Sequence, residues 1–188
     1  ECLFPLAAPG ILHQSVHGQT PQRFGNAHPD HAPHGVYPCH GEDAWAVIQV
    51  TEETQWHQLQ AIIPALSEFG DLDERLAKRE AIDECIGAWT QQRTASEVMQ
   101  TLQAAGVTAA KLNNGQELLD EPHLHDRGYL QWLERDHVGL QPHPSAPFRT
   151  AEEPIPITSP SPTLGQHNHA ILVDLLGLST DELQQLEQ

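Results

Sequence analysis

The 188-residue chain carries 26 acidic residues against nine Lys and Arg, a net charge of −17, and 38% apolar residues. This supports a folded core of one sizeable domain or two small ones. It argues against nucleic acid or an anionic membrane as partner, because both reward clustered positive charge, and it gives no steering toward a polyanionic ligand.

Glu1 to Gly18 reads as a weak helix with an apolar side, Leu3, Phe4, Leu6, Ile11 and Leu12, bent or delayed by Pro5 and Pro9. The opening has no basic region and does not read as a signal peptide. No apolar run reaches the length of a membrane span. Cys2, Cys39 and Cys85 have no CxxC spacing and read as reduced thiols of a cytoplasmic protein.

The most informative stretch runs from Arg23 to Val50. Gly25-Asn26 is a turn signal. Pro29 and Pro33 forbid regular helix. Val36, Tyr37 and Cys39, a turn at Gly41-Glu42-Asp43 and the β-rich run Ala44 to Val50 then predict a hairpin. Loops carried by rigid strands often hold functional residues.

Thr51 is the predicted N-cap of a helix through Ile62 or Ile63, with Trp56, Leu59, Ile62, Ile63 and Leu66 as its buried stripe. Asp71 to Glu80 reads as a solvated, charged helix surface with i,i+4 pairs such as Asp71–Arg75. Ile82, Ile86 and Trp89 mark another helical face. Thr94-Ala95-Ser96-Glu97 is a capping box that opens a helix closed at Gly106. Val107 to Leu112 reads as a short strand, Asn113-Asn114-Gly115 as a turn, and Gln116 to Asp120 as one helical turn closed by Pro122. Tyr129 to Glu134 alternates as a strand.

Seven prolines between Gln141 and Thr163 predict an extended connector rather than a core element. Asn168 to Leu176 and the capping box at Ser179 to Glu182 open two terminal helices. The fold class expected is α+β: a small antiparallel sheet with packed helices, then a Pro-rich return and a helical tail. The domain division expected is 1–22 as an N-terminal helix and linker, 23–140 as the small α+β domain, and 141–188 as connector and C-terminal helices.

Thirteen histidines raise the question of a metal. His28, His31 and His34 recur every third residue, with Cys39-His40 behind them. That spacing converges on a helix, which Pro29 and Pro33 prevent, so no metal ligands are assigned. G-x-S-x-G, Walker-type and G-x-G-x-x-G signatures are absent.

One resemblance spans nearly the whole chain. The order G-N-x-H-P-x-x-A-P-H-G-x-Y-P-C, G-x-D-x-W and Gln55-Trp56 is followed by Trp89-Thr90, Leu102 to Val107 and Glu117 to Leu119. Asp120 to Leu124, Arg127 to Tyr129, Pro162 to His167 and Leu175 to Ser179 complete it. This pattern resembles the class III CoA-transferase family, which includes formyl-CoA transferase, carnitine CoA-transferase and α-methylacyl-CoA racemase. The family's chemistry is CoA transfer between carboxylic acids through a covalent aspartyl intermediate. Its Asp lies on a larger N-terminal domain, and no position here matches it. The resemblance therefore implies no catalytic residue in this chain, inactivity of the chain alone, and a missing first half. It implies a small or lid domain whose loop residues Ala32, Pro33, His34, Gly35 and Tyr37 border the acyl-CoA site. The glycine-rich loop of formyl-CoA transferase is matched here by one Gly with His and Pro, an Ala-Pro-His-Gly sequence that resembles other members. CoA thioester enters as substrate and not as a tightly bound cofactor. The partners implied are acyl-CoA, a carboxylic acid, and a second copy or a complementary large-domain chain in an interlocked dimer. A racemase-type member and a non-catalytic binding or assembly module are the alternatives.

Overall fold

The computed structural model describes residues 3–151 and 153–187. Cys2 lies outside the described residues. The chain divides into two compact units, one ending at Leu112 and one starting at Asn113.

The first unit opens with a single 3-10 turn, Pro5–Ala7, and helix α1, Ala8–His17, which stops at Gly18 in the left-handed region. None of the α1 residues is buried. The predicted hairpin follows, with β1 over His34–Pro38 and β2 over Trp45–Gln49. Strand β3, Thr108–Lys111, completes an antiparallel sheet in the order β1-β2-β3. The register pairs Gly35 with Ile48, Tyr37 with Ala46, and Ile48 with Ala109. These pairs lie on one face, because side chains alternate along a strand. That face is buried: Tyr37, Cys39, Ala46, Ile48, Val50 and Ala109 all belong to the core.

Helices cover this face. Helix α2 spans Glu53–Ile62, α3 Leu72–Ala77, α4 Arg79–Thr90 and α5 Ala95–Ala104. Their apolar stripes supply Trp56, Leu59, Ile82, Ile86, Val98 and Leu102, and the 3-10 turn Pro64–Glu68 adds Leu66. The predicted stripe of α2 holds, with Ile62 only half-buried at its margin. The cap differs by one residue. Glu52 is the N-cap, while the Thr51 N–H donates to the Gln55 side chain at 2.9 Å, so Thr51 is occupied outside the helix. The capping box at Thr94 forms as predicted, with the Glu97 carboxylate accepting the Thr94 N–H at 2.8 Å.

Arg75 departs from the sequence reading. It was expected on a solvated face paired with Asp71. Asp71 is instead the N-cap of α3 and accepts the Glu74 N–H at 3.0 Å. Arg75 turns inward and is 2% exposed. The i,i+4 ion pair that does form on this surface is Glu74–Lys78, at 2.7 Å.

In the second unit, helices α6, Gly115–Leu119, and α7, Pro122–Asp126, precede a hairpin of β4, Leu130–Arg135, and β5, Gly139–Pro144. Pro122 begins α7 rather than closing the preceding turn, since its missing N–H costs nothing in the first turn. The proline-rich stretch also departs from expectation. Gln141 to Pro144 form strand β5, because a proline on the outer edge of a two-stranded ribbon removes no ladder bond. Beyond β5 the prolines do run in extended chain. The Gln131 side chain ties that run to β4: its amide donates to the Ile155 carbonyl at 2.8 Å and its oxygen accepts the Ile157 N–H at 2.7 Å. Gly128 sits in the left-handed region with a Pro154 carbon 2.7 Å from where a Cβ would stand, so only glycine fits. A π-helix, His169–Leu175, and helix α8, Thr180–Leu186, with its predicted capping box at Ser179, end the chain. Among the described residues no helix is long and apolar enough to cross a membrane.

Leu59 is fully buried at the centre of the first unit's core. Leu59→Ala is expected to cost about 2–5 kcal/mol, from lost transfer energy and the cavity left behind. Urea denaturation followed by tryptophan fluorescence measures it.

Candidate functional site

The loop from Gly25 to Pro33 is tied down at its C-terminal end. Ala32 and Pro33 are fully buried. The Arg75 Nε–H donates to the Ala32 carbonyl at 3.1 Å, and the Val50 N–H donates to the Pro33 carbonyl at 3.0 Å. Arg75 is itself held from several sides. Its Nη1 donates to the Gly70 carbonyl at 3.2 Å and to Glu53 at 3.1 Å, and its Nη2 reaches the other Glu53 oxygen at 2.5 Å. The guanidinium lies over the Trp56 ring, 4.8 Å from its centroid. The Arg75 hydrogen bond holds the Glu53 carboxyl below its ordinary pKa. One planar fork therefore joins the loop, α2 and the chain entering α3.

Beyond the tether the chain opens onto a cleft of about 680 Å³. His34, Gly35 and Tyr37 of β1 line one side. The other side is one face of α4: Glu80, Asp83, Glu84, Gly87, Ala88 and, just past its end, Gln91. Their i, i+3, i+4, i+7 spacing is that of a single helical face. Asn26 and Ala27 close the loop end.

The cleft is clasped at three points. The Tyr37 hydroxyl donates to Asp83 at 2.6 Å. The Thr90 hydroxyl, fully buried, donates to the Pro38 carbonyl at 2.7 Å, and the His40 N–H donates to the Arg93 carbonyl at 2.7 Å. Burial and the facing carboxylate push the Tyr37 phenol far above its usual range. Burial also raises the Asp83 carboxyl, against the opposing pull of the Tyr37 hydrogen bond and Arg79.

Of the five loop positions expected at a substrate site, His34, Gly35 and Tyr37 come together at the cleft, while Ala32 and Pro33 lie beneath it as the anchor. The His34 Nδ1–H donates to the Asn26 carbonyl at 2.7 Å, which leaves Nε2 free of that contact. The spaced histidines cluster: His28 stacks on His31 with centroids 4.4 Å apart, and His34 is tilted against His28 at 5.5 Å. Among the described residues no group of three or more His, Cys, Asp or Glu is arranged to hold a metal. Cys39 and Cys85 are free thiols, and burial raises that of Cys39. Sequence reasoning overlooked Asp83 and its neighbours on α4. The i, i+3, i+4 spacing of Glu80, Asp83 and Glu84 followed by the small residues Gly87 and Ala88 was the available signal.

The architecture is an α+β module with a tethered lip over a helix-walled cleft. Residues 1–168 match CoA-transferase family III, and the chain belongs to that family. It is 33% identical over 168 residues to a probable CoA-transferase of Mycobacterium tuberculosis, across 85% of this chain and 21% of that protein. It is 30% identical over 179 residues to succinyl-CoA–D-citramalate CoA-transferase of Chloroflexus aurantiacus, across 90% of this chain and 43% of that one. In fold it resembles a CAIB/BAIF family protein from Brucella suis, with a TM-score of 0.75 and 24% identity over 93% of this chain and 46% of that one. The chain thus spans less than half the length of each of these relatives.

Two outcomes follow from this geometry. Arg75→Lys keeps the charge but loses the Nε donor and the planar fork, and is expected to cost about 2–3 kcal/mol in thermal unfolding, as charge-assisted bonds to buried carbonyls are lost. Asp83 gives a pH signature. Its folded pKa is raised, so the unfolded chain ionises first as pH climbs above the ordinary carboxylate value. The folded chain then holds the extra proton, and stability falls through that window. Asp83→Asn is expected to abolish this fall, so the gap between variant and wild-type melting temperatures widens from acid to neutral pH.

Proposed function

We propose that this chain supplies the small, lid-forming part of an acyl-CoA transferase that moves CoA between carboxylic acids through a covalent aspartyl intermediate. The match of residues 1–168 to CoA-transferase family III carries this reading. The tethered lip of His34, Gly35 and Tyr37 is the part that borders the acyl-CoA. No catalytic residue is assigned within the chain; the nucleophilic carboxylate belongs to a large domain carried elsewhere. Relatives named as transferring CoA from succinyl-CoA to D-citramalate or to mesaconate, and one named for succinate and glutarate, point to dicarboxylic acids as the substrate class.

Electrostatics divides the ligand between segments. Glu80, Asp83 and Glu84 make this cleft a poor seat for the CoA phosphates. The lip therefore meets the uncharged thioester and the carbons beside it, while the CoA phosphates and the free carboxylate of a dicarboxylic acid are held by the large domain. The proposed partner is that domain, from a second copy or a complementary chain. Apolar residues left exposed on α1 support this: Leu12 and Val16 are 64% and 73% exposed. Two relatives are named as the alpha and beta subunits of succinyl-CoA–L-malate CoA-transferase, so related chains work in multi-chain enzymes.

The test is CoA transfer from succinyl-CoA to a panel of dicarboxylates, followed by chromatography of the thioesters. Transfer is expected when the chain is joined to its large domain and absent from the 188-residue chain alone. His34→Ala is expected to lower kcat/KM about tenfold, the scale of one lost positioning contact. Transfer by the isolated chain would overturn the assignment of the nucleophile to a large domain. A joined enzyme that moves CoA to no acid in the panel would sink the transferase reading.

A further inference from the structure

Helix α4 turns three carboxylates toward the cleft, Glu80, Asp83 and Glu84. Among the described residues only Asp83 of these bonds to β1. Its partner is chemically unexpected. Tyr37 is 3% exposed and packs in the core, where phenylalanine would bury the same apolar area without a hydroxyl to satisfy. The hydroxyl requires an acceptor, and Asp83 supplies it at the expense of burying part of a carboxylate. What the pair adds is not packing area but a fixed direction for the ring.

That direction matters because of Gly35. A Cβ at residue 35 would stand 3.0 Å from the Tyr37 hydroxyl oxygen and 3.1 and 3.3 Å from two ring carbons. The ring therefore lies directly against the Gly35 backbone, and the position of one sets the position of the other. On the preceding side, Arg75 and the Val50 N–H fix the Ala32 and Pro33 carbonyls. His34 sits between these two restraints with its Nδ1 held by Asn26. The lip is fixed from below by Arg75 and from the side by the Tyr37 ring.

We infer that Asp83 is a positioning residue for the transferase site: by holding the Tyr37 hydroxyl, it presses the ring against Gly35 and sets where His34 and Gly35 meet the substrate. This rests on the reading that the lip borders the acyl-CoA. Asp83 touches no reacting atom and acts through Tyr37. The bond needs an acceptor at residue 83, not a charge, so a neutral acceptor serves equally. The surrounding ionisable groups, Arg79, Glu80 and Glu84 on α4 and His34 across the cleft, are unchanged by that exchange.

The test compares Asp83→Ala, Asp83→Asn and Tyr37→Phe by two measurements. Hydrogen exchange on the 188-residue chain is expected to quicken across His34–Val36 in Asp83→Ala and Tyr37→Phe, with little change at Ala109–Ala110, and to stay near wild type in Asp83→Asn. In the enzyme joined to its large domain, Asp83→Ala and Tyr37→Phe are each expected to lower kcat about tenfold, the double variant no further, and Asp83→Asn to remain within about twofold of wild type. Unchanged exchange at the lip in Asp83→Ala overturns the inference, as does an Asp83→Asn variant as impaired as Asp83→Ala. Faster lip exchange with wild-type kcat overturns the catalytic consequence. A wild-type enzyme without transferase activity overturns the reading of function instead, and the exchange result still decides whether Asp83 sets the lip.

Discussion

A single buried guanidinium organises the approach to the cleft. Arg75 makes its bonds to the Ala32 and Gly70 carbonyls and to both Glu53 oxygens from one rigid plane, with the Trp56 ring beneath it. A buried cation is costly unless every donor finds an acceptor and a counter-charge stands close. Here the counter-charge is at the surface: the Glu53 side chain is 58% exposed, while that of Arg75 is 3% exposed. Water therefore solvates the carboxylate, which limits the cost of the pair, and the Ala32 and Gly70 carbonyls take two further donors. The loop ending at Pro33 has no regular secondary structure of its own, so side chains and single backbone groups hold it: this fork and the Val50 N–H at its end, and Arg79, which donates to the His28 carbonyl at 2.6 Å, further back.

The cleft follows from the way α4 is fastened to the edge strand β1. Edge strands expose unpaired backbone groups that must be covered or blunted. The Pro38 carbonyl is taken by Thr90 and the His40 N–H by the Arg93 carbonyl, so the far end of β1 is sealed onto the end of α4. Nearer the loop, the small residues Gly35, Gly87 and Ala88 leave space between strand and helix, spanned by Tyr37 and Asp83. The same elements thus build a closed core at one end and an open acidic cleft at the other. Under the proposed reading, that charge suits this surface to the uncharged thioester rather than to the CoA phosphates.

Much of the fold was legible because local signals and burial agree. The hairpin, the β3 strand, the α2 and α4 stripes and the capping boxes at Thr94 and Ser179 each rest on residues whose own chemistry favours the observed state. The departures have two causes. Arg75, Asp71 and Glu53 are all charged, and charge pattern says only that a helix face is polar; which partner an arginine reaches depends on a residue 22 positions away. Pro142 and Pro144 were read as part of an extended connector, yet they pair in the β5 ribbon, at an edge no helical or strand periodicity reveals. For the site, the loop residues were identified by resemblance, and the helix that faces them was not.

Sequence alone determined the α+β class, the hairpin after the proline-broken loop and the family resemblance. These depend on turn chemistry, alternation and motif order, all readable along the chain. Only the tertiary structure decided that Ala32 and Pro33 are anchors beneath the lip while His34, Gly35 and Tyr37 face the cleft, that Arg75 is buried, and that Asp83 meets Tyr37 across 46 positions of sequence. The physical reason is that burial and hydrogen-bond partnership belong to pairs of residues brought together by packing, and no single position carries them.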